Sequence, residues 1–489
     1  MTIRISFLLY FLISSSSLLF ASVATVYPFP QGLEPAKDFS VSVNNQPAFV
    51  YDSPVGALAH FESTETVTVI ITVTELDVKR VDIRPLKYNI QYTLQGRKII
   101  LQVPPGVNLS VELNGNLKRP IFLVSNLPDK AIPNRNASNV RYFQAGRIYE
   151  VGPVLLKDNE QVYIEGGAIV KGSFKADHAR NVSIRGYGII DGTNVRGEEE
   201  YREAVKNYRS WRKLIHFLNC ENVTLENVIL LNSNTWNVVP DNSHGVLINN
   251  IKILCGNPSD DGIDILQSSN VTIKNSFIRS KDDCIAFKSL LETRPDRGIR
   301  DVTVENCTLW SAEWGNALEI GFETLTASIE NVTFKDCTVI HEEGGAVFSM
   351  HNADYAVIRK ISYENIVVED ASDKLFDLAI FVSLFSKDNP YDVDEFRKNH
   401  YQPGPWSNVL KLSPDARRSF SDGRGQIDGV VFKDIRVYGK FPYSIIAGYD
   451  STHVVKNVRF SNLRVNENHI KDTASGKISV EFAHNVVFD

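Results

Sequence analysis

The sequence predicts an all-β protein: a right-handed parallel β-helix preceded by a small β-sandwich. The first observation is an internal echo. The phrase "NVTLENVILL" at Asn222 returns as "GVLINNIKIL" at Gly245, "NVTIKNSFIR" at Asn270, "DVTVENCTLW" at Asp301, "NVTFKDCTVI" at Asn331 and "KISYENIVVE" at Lys360. Subtraction of those starting positions gives steps of 23, 25, 31, 30 and 29 residues, a period that marks stacked repeats. The second observation is the texture of each copy. Apolar and polar residues alternate, Asn, Asp or Gly breaks the run, and a second short strand follows, so each repeat is strand and turn only. Blades of a β-propeller, at roughly 40–45 residues, are longer than these steps. The third observation is that the chain before about residue 140 shows no echo of this pattern.

In chain order, residues 1–24 place Arg4 before an apolar run that four serines interrupt and that ends in Ser22-Val23-Ala24. This reads as a signal for export, so the expectation is a secreted protein, extracellular or periplasmic, with no membrane span. Residues 25–140 carry alternating strands such as "ETVTVIITVT" and "NLSVELNG", with the hairpin signal Asn114-Gly115, and read as the sandwich. It is expected to pack on the N-terminal end of the helix. Residues 141–489 form the β-helix. The 69-residue step from Lys360 to Gly429 (429 − 360) hides either a missed coil or a long insertion, placed near 371–428. Aromatic, proline-containing loops of that kind usually wall a binding site, or else are simply tolerated insertions.

Composition narrows the function. A formal charge of −6 over 489 residues gives no electrostatic footprint for nucleic acid. Five cysteines are too few for a disulfide scaffold, and without a Cys-x-x-Cys or clustered histidines no metal and no cofactor is expected. Cys220, Cys307 and Cys337 end similar phrases and read as small buried residues. A monomer is expected.

Acids stand twice against the start of an apolar strand: Asp261 in "PSDDGIDIL", then Asp282 and Asp283 in "SKDDCIAFKS". The 21-residue separation (282 − 261) is about one coil, so Asp261 and Asp282 are expected to stack on one face with Asp283 beside them. Carboxylates at such range repel, so one holds its proton near neutral pH and serves as general acid while its neighbours act as bases. Hydrolysis of a glycosidic bond needs that division of labour. Single Asp residues in such phrases also serve as ordinary turn residues; their repetition at coil spacing is what points to chemistry.

The motifs of this region resemble the polygalacturonase family of glycoside hydrolases. "GYGIIDG" (Gly186 to Gly192), "NSNTWNVVP" (Asn232 to Pro240), "SDDGIDI" and "KDDCIAF" run in the family's order. The resemblance implies a secreted inverting hydrolase of a pectic polysaccharide, with Asp282 as general acid and Asp261 and Asp283 holding the attacking water. For that mechanism, an acid-to-base separation of roughly 6.5–9.5 Å is expected. The likeness departs at "GNALEIG", where Asn316 and Ala317 stand for the family's His and Gly, and the family's R-I-K motif has no clear counterpart. "NALEIGFET" with "VTFKDCTVIHEE" resembles instead the related dextranase and isopullulanase family, which acts on neutral α-glucans and also carries an N-terminal sandwich. A polysaccharide lyase and a non-catalytic glycan-binding solenoid are the rival classes.

Substrate-binding candidates are Lys288, Asn316, Glu319, Trp236 and His351. Lys288 offers a charge for an acidic sugar, or merely tempers the acid cluster. Glu319 and Glu323 are sugar-hydroxyl ligands or strand-end residues; His341 and His351 flank "EEGGAVFSM" and either line the cleft or, as lone histidines more often do, are merely hydrogen-bonded. Trp236, Trp310 and Trp314 offer ring faces to pyranose C–H groups, or serve as packing.

Overall fold

The computed structural model describes residues 23–193, 213–290, 298–400, 409–410 and 412–489. The export segment expected at 1–24 lies outside the described residues up to residue 22.

Residues from Val140 onward wind into a parallel β-helix with three strand faces per coil. One face is a 12-stranded parallel sheet running from Val140–Phe143 to Ala483–Phe488. A representative coil has Ser269–Lys274 on this first face, Phe277–Ser280 on the second and Ile285–Ser289 on the third. Each strand pairs in register with its equivalent one coil away, as in Val271↔Val302, Ile278↔Leu309 and Ile263↔Ile285.

The recurring asparagines now have a cause. Asn227, Asn250, Asn275, Asn306 and Asn365 hold positive φ at the corner between the first and second faces, a conformation that Asn tolerates better than other side-chain-bearing residues. Their amides stack in a ladder: Asn250 Nδ2 donates to Asn227 Oδ1 at 2.9 Å, and Asn306 Nδ2 donates to Asn275 Oδ1 at 2.9 Å. Inside the first face a second ladder forms from Phe334, Tyr363, Phe432, Phe460 and Phe488, stacked at 4.6 to 5.0 Å between ring centroids. All five cysteines are buried and unbridged.

The long step after Lys360 is an insertion, with no missed coil. Val357–Glu364 pairs directly with Gln426–Lys433. Lys374–Ile380 is a regular third-face strand, so the extra chain is 381–425, narrower than the 371–428 expected.

The N-terminal strands build two sheets around a shared core of Val43, Phe61, Val69, Ile71, Leu101, Ile121 and Leu123. Asn114 and Gly115 both take positive φ in the hairpin between Asn108–Leu113 and Asn116–Asn126, as a primed turn requires. The position of the sandwich differs from expectation. It lies along the side of the helix, where Tyr51, Val55, Leu58, Phe122 and Val124 cover Ile189, Ile229, Leu231, Leu254, Phe277 and Trp310 of the second face. A buried ionic network closes that contact. Arg84 Nη1 donates to Glu369 at 2.8 Å, and His341 bridges Glu112 and Asp370 at 3.0 Å each. His341 and Trp310 therefore belong to the sandwich contact, so of their two readings the histidine takes the hydrogen-bonded one and the tryptophan the packing one; Trp310 Nε1 donates to Glu343 at 2.6 Å.

Candidate active site

In each coil the chain turns from the second face to the third, and the chemistry sits in that turn. Gly262 N donates to Asp283 O at 2.8 Å, and Cys284 N donates to Asn316 O at 2.9 Å. The stacked column is thus Trp236, Asp261, Asp283, Asn316. Asp261 stands over Asp283, one coil of 22 residues (283 − 261) away, so the expected stacking on Asp282 is off by one residue. Beneath Asp282 lies Asp260, whose Oδ1 accepts from the backbone N–H of Lys281 at 2.8 Å. Gly315 makes the close approach possible: a Cβ there would lie 2.0 Å from the Asp282 carbonyl carbon.

The column opens into a cleft of about 860 Å³. One oxygen from each of Asp261, Asp282 and Asp283 lies within 4.8 Å of the others. This is shorter than the acid-to-base separation expected for inversion. The Lys288 ammonium sits among these acids, bonded to Asp261 and 3.2 Å from both Asp264 and Asp283. It already supplies the positive charge that a metal would bring to this carboxylate group.

Burial and the charges of Asp261 and Asp283 together push the Asp282 carboxyl well above its ordinary value. Burial also raises Asp261, against the pull of Lys288, and raises Asp264 strongly with Asp261 adding to it. Burial works against the Lys288 charge, but its three carboxylate neighbours prevail and raise it well above the usual lysine range. Asp283 receives two N–H bonds from Asn316, backbone at 2.9 Å and side chain at 3.0 Å. Asn316 Oδ1 in turn accepts from Ala346 N at 2.8 Å, which fixes the amide orientation.

Other candidates take different places. Trp236 lines the cleft, but its ring is buried and carries Lys288 over one centroid at 4.8 Å. His351 lines the cleft with both ring nitrogens engaged, Nδ1 by Glu319 at 3.0 Å and Nε2 by Asp377 at 3.2 Å. Burial opposes its charge, yet Glu319 and Asp377 raise it to about 10. Glu319 is fully buried behind this histidine, which corrects its reading as a direct sugar ligand. Glu323 reaches the cleft, its carboxyl pushed up to about 7 by burial. Trp314 also lines the cleft and is 55% exposed, with the Lys281 ammonium over its ring at 4.6 Å.

Sequence reasoning missed Asp264, Asp377, Lys374 and Phe385. For Asp264 the signal was present. Ile263 and Ile265 point into the core, so the residue between them must face outward, toward the cleft. Asp377 falls two coils beyond Glu319 in the register.

Residues 156–376 match the family model of Glycosyl hydrolases family 28. The chain is a polygalacturonase-like glycosidase. An endo-polygalacturonase from Pectobacterium carotovorum subsp. carotovorum is 25% identical over 368 residues, covering 71% of this chain and 80% of that protein. A probable polygalacturonase from Vitis vinifera is 31% identical over 140 residues, covering 27% of this chain and 28% of that protein. Among solved structures, Dex49A from Penicillium minioluteum superposes with a TM-score of 0.63 at 16% identity, covering 93% of this chain and 96% of that one. The polygalacturonase from Erwinia carotovora ssp. carotovora has a TM-score of 0.51 at 20% identity, covering 73% of this chain and 91% of that one. These two structures bear on the fold alone, and with the family match they bear out the β-helix of this glycosidase. The lyase and non-catalytic readings fall away with the same match. No helix among the described residues is long and apolar enough to cross a membrane.

Proposed function

We propose that this glycosidase is an exported hydrolase of a polysaccharide, cutting an α-glycosidic bond with Asp282 as general acid and a water held between Asp261 and Asp283. The observation that carries the reading is the contrast within the trio. Asp282 is driven toward its protonated form by burial and two flanking carboxylates, while the ammonium of Lys288 is bonded to the other two. A proton is therefore available at Asp282 Oδ for the departing oxygen. A carboxylate pair stands ready to take one from water. Cleavage of polygalacturonate is the first substrate reading, on the strength of the relatives named above.

One observation favours a neutral α-glucan instead. Among the described residues lining the cleft, Lys288, His351 and Lys374 are all bonded to carboxylates. Glu313, Glu323, Glu343 and Asp373 add further acids. A uronate carboxylate entering there meets like charge, and bidentate arginine is the group best shaped to offset that. Reducing ends released from polygalacturonate, dextran and pullulan, side by side at low and raised salt, distinguish the two substrates.

The catalytic assignment is tested by Asp282→Asn. Asparagine keeps the side-chain volume and the Oδ1 that accepts from Asp283 N at 3.1 Å, so the thermal midpoint should hold. Turnover should fall by about 10²–10⁴, the usual loss of one general acid. Near-normal turnover in the folded variant overturns the assignment.

A further inference from the structure

The cleft does not end at the catalytic column. The third face continues toward the C terminus, where Ala346 pairs with Lys374 and Lys374 pairs with Tyr443. Ser444 then pairs with Ile478 at the start of Ile478–Glu481. From the Asp283 level to Tyr443 is four coils (Asn316, Ala346, Lys374, Tyr443), or roughly 19 Å at the usual strand spacing. That is the span of a short run of glycosyl units laid along the helix axis.

At the far end lies a second groove of about 550 Å³. Tyr443 and Val480 form its floor and are 41% and 43% exposed. Its rim is polar, with Arg417 facing Glu481 at 3.8 Å. An apolar floor that includes a half-exposed tyrosine, rimmed by donors and acceptors, suits sugars, which present C–H faces and hydroxyl edges.

Two observations join this groove to the cleft. The described residues of the insertion border both, giving Phe385 to the cleft and Phe381 and Arg417 to the groove. Tyr443 also stands close to acids at the cleft's end: burial, then the charges of Asp373 and Asp377, raise its hydroxyl. Asp373 itself lines the cleft.

We infer that the Tyr443–Val480 groove is a distal glycan subsite, occupied by the part of the same polysaccharide chain that extends beyond the point of cleavage. The inference rests on the reading that the aspartate trio cleaves a polysaccharide. It assigns the described flanks of the insertion a role, with Phe385 beside the cleft and Phe381 and Arg417 beside the groove guiding the chain from one depression to the next.

The test uses oligogalacturonides and isomalto-oligosaccharides of stepwise increasing length, with wild type, Tyr443→Ala and Arg417→Ala. On whichever series is cleaved, the wild-type kcat/KM should climb with length until the chain reaches the groove. Tyr443→Ala should lose about tenfold on the long substrates, mainly in KM, and nothing on the short ones. Arg417→Ala, which removes another lining residue, should show the same dependence on length. Equal losses at every length, or none at any length in folded variants, overturn the subsite while leaving the catalytic reading intact. A wild type that cleaves neither series at any length overturns both.

Discussion

Removing the Lys288 ammonium should destabilise the protein in a way that depends on pH. In Lys288→Met the apolar stem is kept and the charge is lost. The structure sets the size of the effect. Nζ contacts Asp261, Asp264 and Asp283, and all four side chains are at most 8% exposed. Taking one partner from a buried ion pair costs about 3–5 kcal/mol, because a desolvated charge is left uncompensated. The remaining acids escape part of that cost by taking up protons, and this fixes the sign. In the wild type Lys288 is raised in the folded state, so its contribution is complete below the ordinary lysine value and lost only as pH climbs through the raised one. Asp261 and Asp264 are raised already and would rise further without the ammonium. A carboxyl raised by folding weakens the native state as pH increases through and above its unfolded value, near 3.8. The gap in thermal midpoint between wild type and variant should therefore be small near pH 4 and widen as pH rises from there through the neutral range. Differential scanning calorimetry over that range reads it directly. A gap of constant size, or no gap, refutes the account of Lys288 as the charge that holds the acids together.

Three further outcomes follow from the geometry. Asn316→Ala removes a side-chain donor to Asp283, and at about 1.5–3 kcal/mol for a bond to a charged group it should lower kcat by about tenfold to a hundredfold, with KM little changed; an unchanged kcat separates Asn316 from the reaction. The resemblance implies inversion, whereas the oxygens of the trio approach within 4.8 Å, below the separation usual for inverting enzymes. Two carboxylates sharing one water favour inversion, so proton NMR of the first product should show the inverted anomer, and a retained anomer would make one of these carboxylates a nucleophile. Arg84→Met breaks the buried contact with Glu369 and Glu112 and should cost about 3–5 kcal/mol; limited proteolysis should then cut faster between the sandwich and the helix, while activity per folded molecule stays the same.

Much of this arrangement is legible in the sequence, because a β-helix writes its geometry as a period. The alternation of Val271 and Ile273 with Thr272 and Lys274 states which side faces the core, and the recurring asparagines mark the corners. The one-residue error in the column shows the limit. Asp261 and Asp282 open similar phrases, but register is set by backbone bonds such as Gly262 N to Asp283 O, and the path of the intervening turn is not encoded in spacing. The position of the sandwich was recoverable in principle. Second-face strands such as Ile229–Leu231 are apolar at every position, and a strand apolar on both sides must be covered on both sides. What no period reveals is partner choice among side chains: the capture of His351 between Glu319 and Asp377 depends on residues from three successive coils.

The composition of the catalytic column follows from the same stacking. A solenoid that places one residue per coil on a line brings those residues to strand spacing, so a run of carboxylates there would be a run of like charges with little water to screen them. Here the two acids in the column stand between Trp236 below and the Asn316 amide above. Asn237, next to Trp236, donates through Nδ2 to the carbonyl oxygens of Asp260 and Asp261 at 3.1 and 3.0 Å, which anchors the acidic turn by its backbone. Asn316 above donates twice to Asp283 and is itself held by Ala346 N. An amide at that level donates to the acid below and accepts from the coil above without adding charge. An imidazole, which the pectic family carries in the matching motif, would bring a titrating group there. The asparagine thus fits a column whose acids already have their counter-charge in Lys288.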